Sequence, residues 1–70
     1  MELVEVRNGE TGGKPWTCCT FASSDGVEVR AFARFTRAGK LAGLNWPRGV
    51  RAPSTFSAEH AERIESEAKL

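Results

Sequence analysis

The stretch VEVRAFARF, residues 27–35, decides the fold of this 70-residue chain. Apolar side chains occupy every second position, and the positions between them are mostly charged. A period of two residues is that of a β-strand with one face on a hydrophobic core. We therefore expect a strand with an inner, core-facing side and an outer side. The predicted inner residues are Val27, Val29, Ala31, Ala33 and Phe35, and the predicted outer residues are Glu28, Arg30, Phe32 and Arg34.

The segment 16–22 is predicted to pair with this strand as a hairpin. The Asp25-Gly26 dipeptide between the two segments favours the positive φ angles of a tight two-residue turn. Loops of two and of four residues leave the same side chains on each face, because side chains alternate along a strand. On this pairing the inner residues are Trp16, Cys18, Thr20 and Ala22, and the outer residues are Thr17, Cys19 and Phe21.

Two further strands are predicted on either side of this hairpin. A second turn at residues 37–40 precedes another alternating segment, and residues 3–7 have the same period. The glycine-rich segment 8–14 is predicted to be a flexible loop. In these two strands the predicted inner residues are Val4, Val6, Ala42, Leu44 and Trp46, and the predicted outer residues are Glu5, Arg7, Leu41, Gly43 and Asn45.

A helix is predicted at the C-terminal end. Prolines and a glycine interrupt residues 47–56, which we expect to be a connection. Ser57 is a suitable N-cap for a helix over about residues 57–69, and Lys69 complements the negative end of the helix dipole. Ile64 lies in a narrow stripe of alanines at helical spacing, so this helix is expected to approach the sheet closely.

These elements predict a single α+β domain over residues 1–70. It is a four-stranded antiparallel meander sheet, over about residues 2–46, with one C-terminal helix packed on the inner face (β-β-β-β-α). A chain of this size buries only about 60% of the surface that its unfolded form exposes. Because Cys18 and Cys19 are adjacent, a disulfide between them is not expected, and a homodimer is the expected additional stabiliser.

No arrangement typical of catalysis or of cofactor binding is present. His60, the sole histidine, has no cysteine or carboxylate at metal-ligand spacing and is expected to face solvent. No apolar run approaches the length that spans a bilayer, and no leader pattern begins the chain. We therefore expect a soluble cytoplasmic protein with no membrane association, no metal, no cofactor and no catalytic residue, and not an enzyme.

Basic residues are concentrated in one part of the chain. No acidic residue lies between Val29 and Ala58, although the net charge of the whole chain is only +1. Aromatic rings interleaved with arginines on a sheet face are typical of surfaces that stack bases and pair with phosphates. We therefore expect nucleic-acid binding, with single-stranded DNA or RNA favoured. The predicted interface consists of Phe21, Arg30, Phe32, Arg34, Arg37, Lys40, Asn45, Arg48 and Arg51.

Two other uses of the same surface are compatible with the sequence. A small protein-interaction or inhibitory factor, for instance one encoded by a phage or another mobile element, would present these aromatic and arginine side chains to an acidic protein surface. A homodimer would pair the Phe21 and Phe32 faces, or the sheet edges, of two copies.

The predicted order of four strands and a helix resembles that of single-stranded nucleic-acid binders of the Whirly and PUR type, which use sheet surfaces for DNA and often dimerise. Residues Thr55-Phe56-Ser57, leading into Glu59 and Ala61, are similar to the strand-to-helix junction in the arm-type DNA-binding domain of phage integrases. Both resemblances imply DNA binding through a sheet. Neither identifies functional residues or assigns the chain to a family.

Overall fold

The computed structural model describes residues 2–50 and 58–68 and confirms the predicted fold class. Neighbouring strands in sequence are antiparallel neighbours in one sheet, and the helix packs against one face of it. Ser57 and Lys69, the predicted helix cap and last-turn cation, lie outside the described residues, as does much of the predicted connection. The elements are β1 (Glu2–Thr11), β2 (Lys14–Ala22), β3 (Glu28–Phe35), β4 (Leu41–Asn45) and α1 (Ala58–Glu67).

The prediction of a flexible loop over residues 8–14 is wrong, because β1 and β2 continue into a tight hairpin. Thr11 pairs with Lys14, which leaves only Gly12 and Gly13 in the turn. Their φ angles are +59° and +80°, the left-handed values that a type I′ turn requires at both central positions. The glycine pair is thus a turn signal within one long hairpin.

The turn between β2 and β3 contains three residues, not the predicted two. The Ser23 amide donates to the Val27 carbonyl at 2.9 Å, and the Gly26 amide donates back to the Ser23 carbonyl at 3.0 Å. Gly26 has a φ of +86°, so the loop is a type I turn followed by a left-handed residue. An odd loop length shifts the pairing by one position, and Phe21 therefore lies opposite Val29.

This shift exchanges the two faces of β2. Thr17, Cys19 and Phe21 are buried on the inner face, beside the inner residues predicted for β3. The prediction that placed Trp16, Cys18 and Thr20 in the core is therefore wrong for all three. The inner face of β3 is as predicted beyond its first position, since Ala31 is fully buried and Ala33 and Phe35 pack against the core. The prediction that Val27 faces inward is wrong, because Val27 closes the three-residue loop just before β3 and is 56% exposed.

Register irregularities correct two further predictions at the sheet edges. In β1 the register slips between Leu3 and Glu5, so that Leu3 is buried and Val4, predicted to face inward, is 47% exposed. In β4 a slip opposite Arg34 and Phe35 brings Leu41 to the core in place of Ala42. A β-bulge of this kind inserts one residue and reverses the face of those beyond it.

The core lies between the inner face and α1. Its fully enclosed members are Leu3, Cys19, Phe21 and Ile64. The ring of Phe21 contacts Trp46 at a centroid distance of 5.3 Å and His60 at 5.8 Å. His60 is therefore half-buried against an aromatic ring, and the prediction that it faces solvent is wrong.

Three hydrogen bonds between side chains and main chain attach α1 to the sheet. Asn8 Nδ2 donates to the Glu67 carbonyl at 2.9 Å, and Arg63 Nη1 donates to the Leu3 carbonyl at 2.8 Å. At the opposite edge the Leu41 amide donates to Glu65 Oε2 at 2.7 Å. The helix thus contacts both edge strands, and it does so on the inner face alone. No helix in the described part of the chain is long and apolar enough to cross a membrane.

Candidate nucleic-acid interface

The face of the sheet opposite α1, the outer face, carries most of the chemically distinctive side chains. Register places Cys18 opposite Phe32, Thr20 opposite Arg30, and Phe32 in turn opposite Asn45. The helix packs on the other side, so these residues share a surface that α1 does not cover. The outer face is formed by Glu5, Arg7, Trp16, Cys18, Thr20, Arg30, Phe32, Arg34 and Asn45.

An aromatic pair lies at the centre of the outer face. The rings of Trp16 and Phe32 meet edge to face, with centroids 6.0 Å apart and planes at 85°. This is a favourable geometry for two aromatic quadrupoles. Trp16 Nε1 donates to Thr11 Oγ1 at 3.0 Å, which fixes the indole, while Phe32 remains 51% exposed. One ring is therefore held in place and the other is available to a ligand.

Glycines beneath two of these side chains let them lie close to the sheet. Gly9 is the cross-strand partner of Trp16, and a Cβ atom at Gly9 would overlap the indole ring. Gly43 is the partner of Arg34, and a Cβ there would lie 2.5 Å from the guanidinium Nη2. Both side chains therefore extend along the sheet surface rather than away from it.

A groove crosses the outer face. It has a volume of about 330 Å³. Glu5 and Arg7 of β1 form one of its walls. In residues 2–50 and 58–68 the ion pairs join Lys40 to Glu65 and Arg63 to Glu67, so none engages an outer-face arginine. These guanidinium groups are available to an anionic partner. The groove is lined by Glu5, Arg7, Trp16, Cys18, Thr20, Arg30 and Phe32.

The predicted interface residues fall into three groups. Arg30, Phe32, Arg34 and Asn45 lie together on the outer face as expected. Phe21 does not, because it is 1% exposed in the core, and its prediction as a contact residue is corrected. The remaining cations lie beyond this face: Arg37 and Lys40 are in the β3–β4 turn and Arg48 is in a turn after β4, while Arg51 lies outside the described residues.

Trp16, Cys18 and Thr20 are the members of this surface that the sequence pattern places on the wrong face. A hairpin loop of even length would put all three in the core, and the loop is odd. The Ser24-Asp25-Gly26 tripeptide, with glycine at the left-handed third position, is the signal that identifies the three-residue loop. Recognising it would have exchanged Phe21 for Trp16 on the outer face.

The adjacent cysteines lie on opposite faces. Cys18 is half-buried in the floor of the groove, whereas Cys19 is fully buried in the core. Burial, with smaller contributions from Cys18 and Glu67, raises the pKa of Cys19 from 9.0 to about 11. The Cys19 thiol is therefore protonated throughout the neutral range and chemically inert.

Thiol labelling is expected to distinguish the two faces of β2. A Cys19→Ala variant, which retains Cys18, should react with a maleimide much faster than a Cys18→Ala variant, which retains Cys19. The reason is that reaction at Cys19 requires both local opening and loss of a proton. Mass spectrometry of time points under native conditions measures both rates. Faster labelling of the Cys18→Ala variant would show that β2 has the opposite orientation.

The raised pKa of Cys19 also predicts a loss of stability at alkaline pH. Since its folded-state pKa of about 11 exceeds the ordinary 9.0, its contribution is complete below pH 9 and falls as the pH approaches 11. Urea unfolding of the native chain and of the Cys19→Ala variant across this range measures the effect. The variant should lack this component of the pH dependence, and identical profiles would contradict the assignment.

Replacing Gly9 with valine is expected to displace the indole of Trp16. The new side chain would occupy the space of the ring, so the bond to Thr11 and the contact with Phe32 should both be lost. Overpacking of this kind costs about 1–3 kcal/mol. Tryptophan fluorescence and urea unfolding measure the outcome. A Gly12→Ala change at the adjacent turn is the control, because a side chain there would contact no ring and would strain the turn without displacing the indole. An unchanged Trp16 environment in the Gly9→Val variant would contradict this packing.

Comparison with protein-family models, curated proteins and solved structures finds no match to this chain.

Proposed function

We propose that the protein is a non-catalytic module that binds single-stranded nucleic acid on its outer face. The observation that carries the proposal is the exposed ring of Phe32, held against Trp16 between Arg30 and Arg34 on a sheet face that the helix leaves open. This combination offers a nucleic acid both stacking and charge.

Stacking is the first component. Phe32 is 51% exposed and projects from the middle of a rigid sheet, so binding a base to it requires little ordering of the protein. Stacking of a base on an aromatic side chain contributes about 1–3 kcal/mol and is tolerant of sequence. Asn45, directly across from Phe32, is suitably placed to hydrogen bond the edge of a stacked base.

Charge is the second component. Arg30 and Arg34 are exposed, lie on either side of Phe32 in β3, and make no ion pair among the described residues. The guanidinium of Arg34 lies over Gly43 toward the sheet edge, which continues the positive surface toward β4. Guanidinium groups form bidentate contacts with phosphate. Phosphates flanking a stacked base would therefore find a partner on each side.

The geometry favours single strands over duplexes. Phe32 can stack only on a base whose face is accessible, and duplex bases are already stacked on each other. The outer face is a sheet surface with a shallow groove and presents no helix to enter a major groove. Unpaired DNA or RNA therefore gains the contacts that a duplex cannot make.

Titration of labelled oligonucleotides tests the proposal. Single strands should bind more tightly than duplex of the same length, and affinity should fall as salt rises. Phe32→Ala should weaken binding by roughly 5- to 150-fold, the equivalent of one lost stacking contact. Arg30→Ala and Arg34→Ala should each also reduce the slope of log affinity against log salt, by about 0.7 for each lost phosphate contact.

Matched controls lie elsewhere on the chain. Val27 is a similarly exposed apolar residue (56%) just before the start of β3, and Arg48 is an exposed cation in a turn. Val27→Ala should leave binding unchanged, and Arg48→Ala should weaken it less than Arg30→Ala. If no binding is detected at low salt, or if all cations contribute equally, the proposed interface is wrong.

A second candidate function is the recognition of an acidic protein segment. The observation that favours it is the groove itself, where Trp16 lies close to Arg7 and Arg30, because tryptophan and arginine dominate protein-interface hot spots. Affinity capture from a nuclease-treated lysate discriminates the two. A partner that survives nuclease and is lost in a Trp16→Ala variant would favour the protein interface.

A further inference from the structure

We infer that two copies of this chain join through β1, pairing antiparallel about a two-fold axis at Val6, with Glu5 of each copy opposite Arg7 of the other. The sheet would then become a continuous sheet of twice the width. This inference concerns the free edge of β1 and is independent of nucleic-acid binding.

The outer edge of β1 is long enough to pair with another strand. β1 runs over ten residues, from Glu2 to Thr11, and is the first strand in the sheet order, so it has only one strand neighbour in the described part of the chain. Edge strands of this length are usually interrupted or covered, since their main-chain groups can pair with another chain. An α1 side chain bonds one main-chain group on each edge strand, the Leu41 amide in β4 and the Leu3 carbonyl in β1, but β4 is only five residues long, whereas β1 continues well beyond Leu3.

The main-chain groups of Val6 point away from β2. Thr11 and Lys14 close a two-residue hairpin and form a hydrogen-bonded pair, and such pairs alternate along an antiparallel ladder. Arg7 and Glu5 are therefore bonded to β2, whereas the N–H and C=O groups of Val6 point to the open edge. An axis at Val6 brings the groups of two Val6 residues together as a hydrogen-bonded pair.

The charges of Glu5 and Arg7 favour one register over its neighbour. Glu5 and Arg7 are both exposed and both on the outer face. An axis at Val6 places Glu5 opposite Arg7 of the second copy twice, in non-hydrogen-bonded pairs, where side chains are closest. An axis at Arg7, the next position along, would instead place two arginines opposite each other. Charge complementarity therefore selects the register at Val6.

The arrangement has a geometric consequence. An axis of this kind is perpendicular to the sheet, so both outer faces lie on one side and both helices lie on the other. The two Trp16–Phe32 pairs would share one surface. The interface is small and partly ionic, so we expect a weak dimer that dissociates at high salt.

Charge reversal tests the inference in the absence of nucleic acid. Sedimentation equilibrium from micromolar to millimolar concentration should show dimers of the native chain. Glu5→Arg and Arg7→Glu should each weaken the dimer about tenfold or more, because two attractive pairs become repulsive. An equimolar mixture of the two single variants should form a heterodimer, since opposite charges then face each other at both positions.

Glu28→Arg, the same charge change on a strand away from the β1 edge, serves as the control and should leave the dimer unchanged. Circular dichroism of each variant establishes that it is folded before its mass is measured. A native chain that remains monomeric at millimolar concentration overturns the inference. So does a dimer that the single reversals leave intact, or a mixture of the two variants that fails to associate.

Discussion

Replacing Phe21 with alanine is expected to lower the free energy of unfolding by about 3–5 kcal/mol, whereas the same change at Phe32 should lower it by about 1 kcal/mol or less. The two residues are chemically identical and lie on neighbouring strands, but they face opposite sides of the sheet. Phe21 is 1% exposed, and Phe32 is 51% exposed. The contrast between them therefore measures burial alone.

The large effect at Phe21 follows from its contacts. Its ring packs on Trp46 and His60 and belongs to the same cluster as Leu3 and Ile64, so truncation opens a cavity where sheet, helix and the end of β4 meet. At Phe32 only the edge contact with Trp16 is lost. A chain of this length has a total stability of roughly 4–10 kcal/mol, so the Phe21→Ala change should remove a large part of it.

Urea unfolding followed by circular dichroism measures both variants. Phe21→Leu is a suitable control, because it retains most of the buried volume and should be much less destabilising than Phe21→Ala. If Phe21→Ala were no more destabilising than Phe32→Ala, both rings would lie on the outer face, as in the two-residue register that the sequence pattern first indicated.

The contrast between these phenylalanines also shows what could be predicted from sequence. The alternation of residues 27–35 was sufficient to predict β3 and most of its inner face, and the turn residues at 25–26 and 37–40 indicated the hairpins on either side of it. Strand order followed, because short connections favour an antiparallel meander. These features depend on the period of hydrophobicity, which is a property of the sequence alone.

Face assignment across a turn depends on something that hydrophobicity does not specify, the parity of the loop. Trp16 and Phe21 are both large and aromatic, so either could have occupied the core. The hydrogen bonds of Ser23 decided between them by closing a loop of odd length. The bulges at Val4 and Ala42 act in the same way, since one extra residue reverses a face while leaving the composition of the strand unchanged.

The candidate site was predicted in part for the same reason. Arg30, Phe32 and Arg34 belong to β3, whose face was correct, and they remain the centre of the proposed interface. The contribution of β2 changed with the register. Arg7 was correctly expected to face outward. That it lines the same groove as Arg30 is seen only in the structure.

Replacing Ile64 with alanine is expected to lower the free energy of unfolding by about 2–5 kcal/mol and to reduce the helix signal with it. Ile64 is the only buried residue among those of α1 that the structure describes. The helix has ten residues, and helices shorter than about 12–15 residues are marginal in water by themselves. Its formation therefore depends on docking, and docking depends largely on this side chain.

The hydrogen bonds of Asn8, Arg63 and Glu65 position α1 but cannot replace Ile64. Each exchanges a bond with water for one within the protein and contributes only about 0.5–1.5 kcal/mol, or up to about 3 kcal/mol where the side chain is charged. Circular dichroism at 222 nm and urea unfolding measure the Ile64→Ala variant, with Glu62→Ala on the exposed side of the helix as the control.

Loss of α1 would leave the inner face around Phe21 exposed, and a dye that binds apolar surface should then bind the Ile64→Ala variant and not the control. If the helix signal and dye binding were unchanged in that variant, the hydrogen bonds at the two sheet edges would be sufficient to hold the helix. The nucleic-acid binding proposed for the outer face, which α1 does not cover, should be lost only to the extent that the sheet itself unfolds.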